Sequence, residues 1–154
     1  MILPQFYIDD LIKNAIKEDI NYIDVATDYL LPEDEVSEAV FIAKADGVLC
    51  GIDVAMRVFS LLDDSFTCTI HKKDGDEIKK GDLIAELKGK TVRLLKGERT
   101  ALNLIQHMSG IATLTNTCVK ETIGTNATIA DTRKTLPGLR SIQKYAVTCG
   151  GGRN

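Results

Sequence analysis

The sequence predicts an α+β domain followed by the beginning of an α/β unit. Between residues 36 and 89, short stretches alternate apolar and polar side chains and are separated by tight-turn sequences, with helical stripes of period 3.6 around them. From about residue 109 the pattern changes to a helix, a short apolar strand of parallel type and another helix. We therefore expect two domains, residues 1–108 and residues 109–154.

The first predicted element is an amphipathic helix that follows Pro4, because apolar side chains recur at helical spacing with Asp, Lys and Glu between them. A carboxylate-rich segment comes next, with Glu18, Asp19, Asp24 and Thr27. These side chains suit metal or substrate binding, and they equally suit the capped turns that end a helix. The residue types leave both interpretations open.

The sheet of the first domain is predicted from three alternating stretches. They are residues 36–45, 66–71 and 83–87. Charged turn sequences separate the last two, so we expect a meander with a hairpin-type turn at residues 72–76. His71 is expected to be an outward-facing strand residue. Gly51 opens a second helical stripe, which runs to residue 62 and should cover the sheet.

A further helix is expected to begin at Gly97, with an apolar face that packs on the core. Its other face carries Arg99, Asn103 and Gln106 in place of the usual mixture of Lys and Glu. Such a face is typical of a surface that approaches a ligand or another backbone, the alternative being an ordinary exposed face. Ser109 and the glycine after it interrupt or thin this helix, whose stripe then continues to a stop at Gly124.

Composition excludes several classes of function. The net charge is −3 with acidic and basic residues interspersed, so no basic stripe is available to follow a nucleic acid. No stretch reaches the roughly 18 consecutive apolar residues of a membrane span, and a cytoplasmic location is expected. With two histidines and widely separated cysteines, no metal-ligand cluster is predicted. Four free and mostly buried thiols are expected, at Cys50, Cys68, Cys118 and Cys149.

A cationic loop, residues 131–140, is the strongest candidate site. It follows the short apolar run of residues 128–130, so Arg133 and Lys134 lie just past the carboxyl end of a predicted strand, where parallel α/β folds place their ligand sites. Pro137 and the glycine after it bend the loop, so that Arg140 can join the other two cations. Such a loop suits a carboxylate or phosphate, unless it is simply a solvated basic loop.

Several motifs in this loop and beyond resemble the quinolinate phosphoribosyltransferases, also called carboxylating nicotinate-nucleotide pyrophosphorylases. They are Asp-Thr-Arg-Lys-Thr at residues 131–135, Pro-Gly at 137–138, Arg140, Lys-Tyr-Ala-Val at 144–147 and Gly-Gly-Gly-Arg-Asn at 150–154. Upstream matches in the family's order include Gly-Glu-Arg-Thr-Ala-Leu-Asn at 97–103, Ser-Gly-Ile-Ala-Thr at 109–113 and Ala-Asp-Gly-Val at 45–48. The resemblance covers the whole chain.

The resemblance implies an N-terminal open-faced α+β sandwich followed by the beginning of an α/β barrel. It also implies transfer of phosphoribosyl from phosphoribosyl pyrophosphate to quinolinate with decarboxylation, giving nicotinate mononucleotide, pyrophosphate and CO2 in de novo NAD biosynthesis. Mg2+ is expected to accompany phosphoribosyl pyrophosphate. The family is further expected to work as a homodimer or a multiple of dimers.

The same resemblance assigns roles to particular side chains. Lys134 and Arg99 are expected to be catalytic, with Arg99 reaching the site of a neighbouring subunit. Substrate binding is expected from both of these residues and from Thr132, Arg133, Arg140 and Lys144. Because the family's motif continues into a His-Arg pair after the position of Asn154, we expect this chain to be part of a longer enzyme, to lack the Mg2+ ligands and to be inactive alone.

Two alternatives remain from the sequence. Residues 74–87 resemble the barrel-sandwich half of biotin- or lipoate-carrier domains, although neither a Met-Lys-Met nor an Asp-Lys-Ala turn occurs to carry the modified lysine. A related phosphoribosyltransferase with another acceptor is the second alternative, since acceptor discrimination depends on the shape of the pocket.

Overall fold

The computed structural model describes residues 3–20 and 25–154, with side chains placed at residues 3–20 and 27–154. The helices are α1 (Gln5–Asp19), α2 (Val25–Leu30), α3 (Ile52–Leu62), α4 (Thr91–Glu121) and α5 (Arg140–Cys149). The strands are β1 (Val36–Ile42), β2 (Gly47–Val48), β3 (Thr67–Ile70), β4 (Glu77–Ile78) and β5 (Leu83–Lys90). The predicted α+β architecture is confirmed, and α1, α3 and α5 lie close to the predicted positions.

The main sheet has the order β1-β5-β3, with β5 antiparallel to both neighbours. The second and third predicted stretches are thus neighbours, as β3 and β5, but the turn at residues 72–76 does not form the predicted hairpin, because β3 does not pair with β4, the strand that follows this turn. That next strand, β4, pairs with β2 in a separate two-stranded sheet. The turn before β4 is anchored there by its backbone, since Leu49 N donates to Asp76 O at 2.9 Å and Gly75 N donates to Leu49 O at 2.8 Å. His71 is exposed and contacts Glu86 of β5, as an outward-facing residue should.

The core of the first domain forms where α3 and α4 pack on the sheet. The buried ring of Phe59 contacts Phe41 edge-on at 6.1 Å and stacks on Phe66 at 5.4 Å. Gly97 lies against the same ring, because a Cβ atom at this position would be 2.8 Å from two Phe59 carbons. This glycine permits a close approach of α3 and α4 near the second turn of α4. The prediction that it begins the helix is wrong.

Helix α4 begins at Thr91, directly after β5, and runs for 31 residues. Its first turn was not evident from the sequence because Val92 and Leu94 are buried with Arg93 between them, which is a strand-like alternation. No interruption occurs at Ser109, whose hydroxyl accepts a hydrogen bond from Cys50 N at 3.0 Å and donates one to Cys50 O at 3.1 Å. The division of the chain at residues 108 and 109 falls inside this helix and stays a prediction. Gly124, at φ +84°, follows soon after the last helical turn, where a stop was predicted.

Within the described ranges, no helix combines the length and the apolar character that a membrane crossing requires.

Candidate active site

The cationic loop leads directly into α5, which packs on α4. Ile142 and Ala146 of α5 are fully buried. After this helix the chain turns back through three glycines, and two of them are tightly enclosed. A Cβ atom at Gly150 would overlap the carbonyl oxygen of Ala112, and one at Gly152 would be 2.6 Å from a Val147 methyl carbon. The glycines thus let the end of the chain lie close against α4 and α5.

This return places Arg153 beside the segment that precedes the cationic loop. Arg153 N donates to Ile129 O at 2.9 Å, and Asp131 N donates to Arg153 O at 2.8 Å, which makes a parallel bridge between Ala130 and Arg153. The predicted parallel strand at residues 128–130 is thus reduced to one bridge.

Arg133 and Lys134 extend from this edge into solvent. Both side chains are exposed, and neither forms a hydrogen bond or an ion pair with any residue that the structure describes. Their backbone is fixed, since Lys134 N donates to the Thr132 hydroxyl oxygen at 3.2 Å and Thr135 N donates to Arg133 O at 3.1 Å. The two cations are therefore available to an anion, at positions set by the loop.

Arg140 joins the loop, as predicted, but by hydrogen bonds within it. Its Nε donates to the Thr135 hydroxyl oxygen at 3.1 Å and its Nη2 to the Arg133 carbonyl oxygen at 3.4 Å. The guanidinium thus braces the loop from within. The side chains of Arg133 and Lys134 have no partner among the described residues, whereas Arg140 supports the loop that carries them.

Lys144 is paired with an acid. Its Nζ lies 3.0 Å from Asp131 Oδ1 and also donates to the Asn154 side-chain oxygen. The Asp131 side chain is only 8% exposed, and its other oxygen, Oδ2, is buried without a hydrogen-bond partner among the described atoms. The sequence-based prediction omitted Asp131 and Asn154, although both belong to the motifs that identified the loop.

Three further contacts hold the cationic loop against α1 and α4. Tyr7 of α1 donates its hydroxyl hydrogen to Gly138 O at 2.5 Å. Leu136 N donates to Gln143 Oε1 at 3.0 Å, and the amide nitrogen of Gln143 lies 3.1 Å from Nε2 of His107 on α4. The loop is thus positioned by both helices that flank it, as a binding site on a rigid scaffold requires.

Arg99 is not brought to the cationic loop of its own chain. It lies on α4 eight residues before His107, about 12 Å along the helix axis. Its Nη1 contacts Asp19 Oδ1 at 2.8 Å, and its side chain is 73% exposed. Leu95 and Leu102 lie on the same stripe of α4 and line an open, mainly apolar groove of about 1010 Å3 between this helix and β1.

The carboxylate-rich segment gives one clear result. Asp19 forms the ion pair with Arg99, so this acid has a role within the described fold. Glu18 is exposed, whereas Thr27 is buried. Asp24 lies outside the described residues. Among the described residues, neither Glu18 nor Asp19 belongs to a group of three or more His, Cys, Asp or Glu side chains that could hold a metal ion.

A cluster that the sequence did not predict joins Cys50, Asp74 and Cys149, whose ligand atoms lie within 4.8 Å of one another. Spacing in the sequence could not reveal this cluster, because the three residues come from separate elements; that the chain holds no metal ion stays a prediction. The expectation of mostly buried thiols is wrong, since Cys68 and Cys118 are exposed.

This cluster does not fit Mg2+, which prefers oxygen ligands in octahedral geometry. It has two sulfur atoms, and its carboxylate is already engaged. Asp74 Oδ1 accepts hydrogen bonds from Gly51 N at 2.8 Å and Ile52 N at 2.9 Å, and Oδ2 accepts one from the Tyr145 hydroxyl at 2.9 Å. Among the described residues, this cluster is the one group of three or more His, Cys, Asp or Glu side chains placed closely enough to hold a metal ion.

Two family models match the chain. Residues 24–109 match the quinolinate phosphoribosyl transferase N-terminal domain, and residues 111–154 match the C-terminal domain of the same family. The first match includes residues 74–87, so the carrier-domain alternative is wrong.

Curated proteins with similar sequences carry names of the same family. The chain is 45% identical, over 144 residues, to the probable carboxylating nicotinate-nucleotide pyrophosphorylase of Bacillus subtilis, covering 94% of this chain and 50% of that protein. It is 41% identical, over 152 residues, to the decarboxylating quinolinate phosphoribosyltransferase 1b of Nicotiana tabacum, covering 98% of this chain and 43% of that protein.

Solved structures extend the similarity to the fold. The crystal structure of NadC from Streptococcus pyogenes aligns with a TM-score of 0.94 at 41% identity, covering 100% of this chain and 55% of that one. The nicotinate-nucleotide pyrophosphorylase of Francisella tularensis aligns with a TM-score of 0.92 at 38% identity, covering 99% and 55%. The predicted α+β sandwich with the beginning of an α/β barrel is confirmed, and the chain spans about half the length of the curated relatives it matches. The chain belongs to the quinolinate phosphoribosyl transferase family.

Proposed function

We propose that this chain takes part in the transfer of phosphoribosyl from phosphoribosyl pyrophosphate to quinolinate. The products are nicotinate mononucleotide, pyrophosphate and CO2, and the reaction belongs to cytoplasmic NAD biosynthesis. The observation that carries the proposal is the pair of exposed cations, Arg133 and Lys134, which extend from an ordered loop and have no partner among the described residues.

The acceptor's chemistry fits these two cations. Quinolinate has two adjacent carboxylates beside its ring nitrogen. A guanidinium binds a carboxylate through two parallel hydrogen bonds, and an ammonium adds a compact charge beside it. Arg133 and Lys134 together fix the ring in one orientation, with its nitrogen directed at the anomeric carbon of the ribose. Much of the rate acceleration then comes from positioning.

Other loop residues support the two cations. Arg140 and Thr132 hold the backbone around Arg133 and Lys134, so their role is to keep the cations in place. Lys144 pairs with Asp131, which directs one carboxylate oxygen inward and leaves Oδ2 ready to accept a hydrogen bond.

Mg2+ is proposed to accompany the pyrophosphate of the donor. The ion would neutralise phosphate oxygens and stabilise the leaving group. The described residues do not fit an Mg2+ site, so we assign none of them to the ion. The roles proposed for Arg133 and Lys134 do not depend on it.

We further propose that two copies of the protein associate and that Arg99 serves the partner's site. Arg99 is far from its own loop along α4, is largely exposed and shares a stripe with the apolar side chains of Leu95 and Leu102. Leu95 is 47% exposed, and Val40 on the facing strand is 53% exposed. A contiguous apolar surface of this kind is typical of a protein–protein contact.

The test uses the protein with the C-terminal half that its relatives have. It is given phosphoribosyl pyrophosphate together with quinolinate, nicotinate or a pyridine dicarboxylate isomer in separate reactions, and the pyrophosphate released is measured. We expect quinolinate alone to react, since only its two adjacent carboxylates match both cations. Reaction with another acceptor would assign the protein to a related transferase. The 154-residue chain, checked by intact mass, is expected to be inactive alone, and robust turnover by it would contradict that expectation.

A further inference from the structure

The cluster of Cys50, Asp74 and Cys149 has no part in the proposed transfer. Cys50 directly precedes Gly51 at the start of α3, and Cys149 is the last residue of α5. The two Sγ atoms lie within 4.8 Å of each other, although 98 residues separate them in the chain. Cys50 is fully buried and Cys149 is half-buried, so a reagent reaches the pair from the side of Cys149.

The third member of the cluster favours thiol chemistry over metal binding. Both carboxylate oxygens of Asp74 are occupied by hydrogen bonds, two from the backbone at the start of α3 and one from Tyr145. These bonds give the acid a structural role that needs no ion. Two sulfur atoms alone leave a zinc ion short of the four ligands of a closed structural site.

The two thiols differ in a way that suits a reactive pair. A hydrogen bond from the Cys50 thiol lowers the pKa of Cys149, and burial acts in the opposite direction. The same hydrogen bond, together with burial, raises the pKa of Cys50. Of the two thiols, Cys149 is therefore the one that loses its proton more readily. A thiolate beside a protonated thiol is the arrangement in which one sulfur attacks and the other resolves.

We propose that Cys149 and Cys50 form an oxidant-reactive dithiol that a hydroperoxide converts to a disulfide. In the first step the Cys149 sulfur attacks the peroxide, an S–O bond forms, the O–O bond breaks, and the alcohol or water leaves with a proton. In the second step the Cys50 sulfur attacks Cys149, the S–S bond forms, the S–O bond breaks, and water leaves with the Cys50 proton. Two thiols are oxidised and one peroxide is reduced.

The position of the pair defines what the disulfide would join. The sulfurs must approach from within 4.8 Å to about 2.05 Å. Because Cys50 is enclosed by the core, the displacement falls on Cys149 and on the glycine segment after it. That segment carries Arg153, which is bonded to the strand end before the cationic loop. The disulfide would thus tie the start of α3 to the carboxyl-terminal edge of the site.

The test uses the purified protein in a background with Cys68→Ser and Cys118→Ser, so that the two exposed thiols cannot react. One equivalent of hydrogen peroxide is expected to remove the mass of two hydrogen atoms. A non-reducing tryptic digest should then link the peptide of residues 45–57 to that of residues 145–153. In the Cys50→Ser variant the same treatment should leave Cys149 as a sulfenic acid that dimedone traps, and Cys149→Ser should leave Cys50 unreacted.

Alkylation by iodoacetamide at neutral pH gives a second measurement that does not need the peroxide. In the protein with all four cysteines, Cys149 should react faster than Cys68, although Cys68 is more exposed, because burial and the charge of Asp53 raise the pKa of Cys68. Three results would overturn the proposal. They are an unchanged mass after peroxide, a faster reaction at Cys68 than at Cys149, and protection of both thiols by a tightly bound zinc ion that a chelator removes.

Discussion

Replacing Gly97 by alanine tests the packing of α4 on α3, which holds the first domain together. The new Cβ atom would lie 2.8 Å from two ring carbons of Phe59 and 3.2 Å from a methyl carbon of Leu62. The ring cannot move aside easily, because it is 3% exposed and is enclosed by Phe41 and Phe66. Overpacking of this kind costs about 1–3 kcal/mol.

Gly110 provides a matched control in the same helix. Both glycines lie in the interior of α4, where exchange for alanine stabilises a helix by about 0.5–1 kcal/mol. A Cβ atom at Gly110 would meet nothing within 4 Å. We therefore expect Gly110→Ala to raise the free energy of unfolding by that amount and Gly97→Ala to lower it by about 1 kcal/mol. The difference between the two variants should be the overpacking cost, about 1–3 kcal/mol.

The assay is denaturant unfolding followed by circular dichroism, at a protein concentration where sedimentation shows single copies. The slopes of the transitions should agree, so that midpoints report stability directly. If Gly97→Ala proved as stable as Gly110→Ala, the close contact between α4 and Phe59 would be refuted.

Two further predictions concern an ion pair and the partner subunit. The Arg57 guanidinium binds Asp9 through two 2.8 Å hydrogen bonds and lowers the pKa of Asp9 below 3.8. Because the pKa in the folded state is the lower one, the pair stabilises the protein above about pH 4 and the stabilisation is lost as the pH falls through the folded value. Asp9→Asn should cost about 0.5–1 kcal/mol at pH 7 and progressively less as the pH falls through the folded pKa of Asp9, as acid titration of unfolding would measure. A cost that did not fall with pH would contradict this. Inactive Arg99→Ala and Lys134→Ala proteins, mixed under conditions of subunit exchange, should regain about a quarter of normal activity, since half of the dimers would contain one intact site. If mixing restored no activity, Arg99 would not act across an interface.

The sequence predicted those elements whose signals are local. Helix α3 follows from its apolar stripe and from Gly51, which adopts φ +95° at the helix start. The cations at Arg133 and Lys134 follow from their place after an apolar run and from the family motif. Each of these signals lies within a few residues of the feature it predicts.

Features that depend on distant residues were not predicted. The order of strands in the sheet depends on pairing between segments far apart in sequence, which turn chemistry does not determine. The pairing of Lys144 with Asp131, and the cluster of Cys50 with Cys149, arise only when α5 packs on α4. Tertiary contacts of this kind leave no trace in spacing or periodicity.

The most direct test of the proposed site is the affinity of quinolinate for an Arg133→Lys variant, measured by titration calorimetry. The protein should include the C-terminal half that the relatives have. Lysine keeps the charge but cannot form the two parallel hydrogen bonds of a guanidinium. The weaker binding should cost about 1.5–3 kcal/mol, the scale of a charge-assisted hydrogen bond, or about 10- to 150-fold in Kd. The same exchange at Arg93, which lies on α4 and contacts Glu33, should leave the Kd unchanged. An unchanged Kd for Arg133→Lys would contradict the proposed role of this loop.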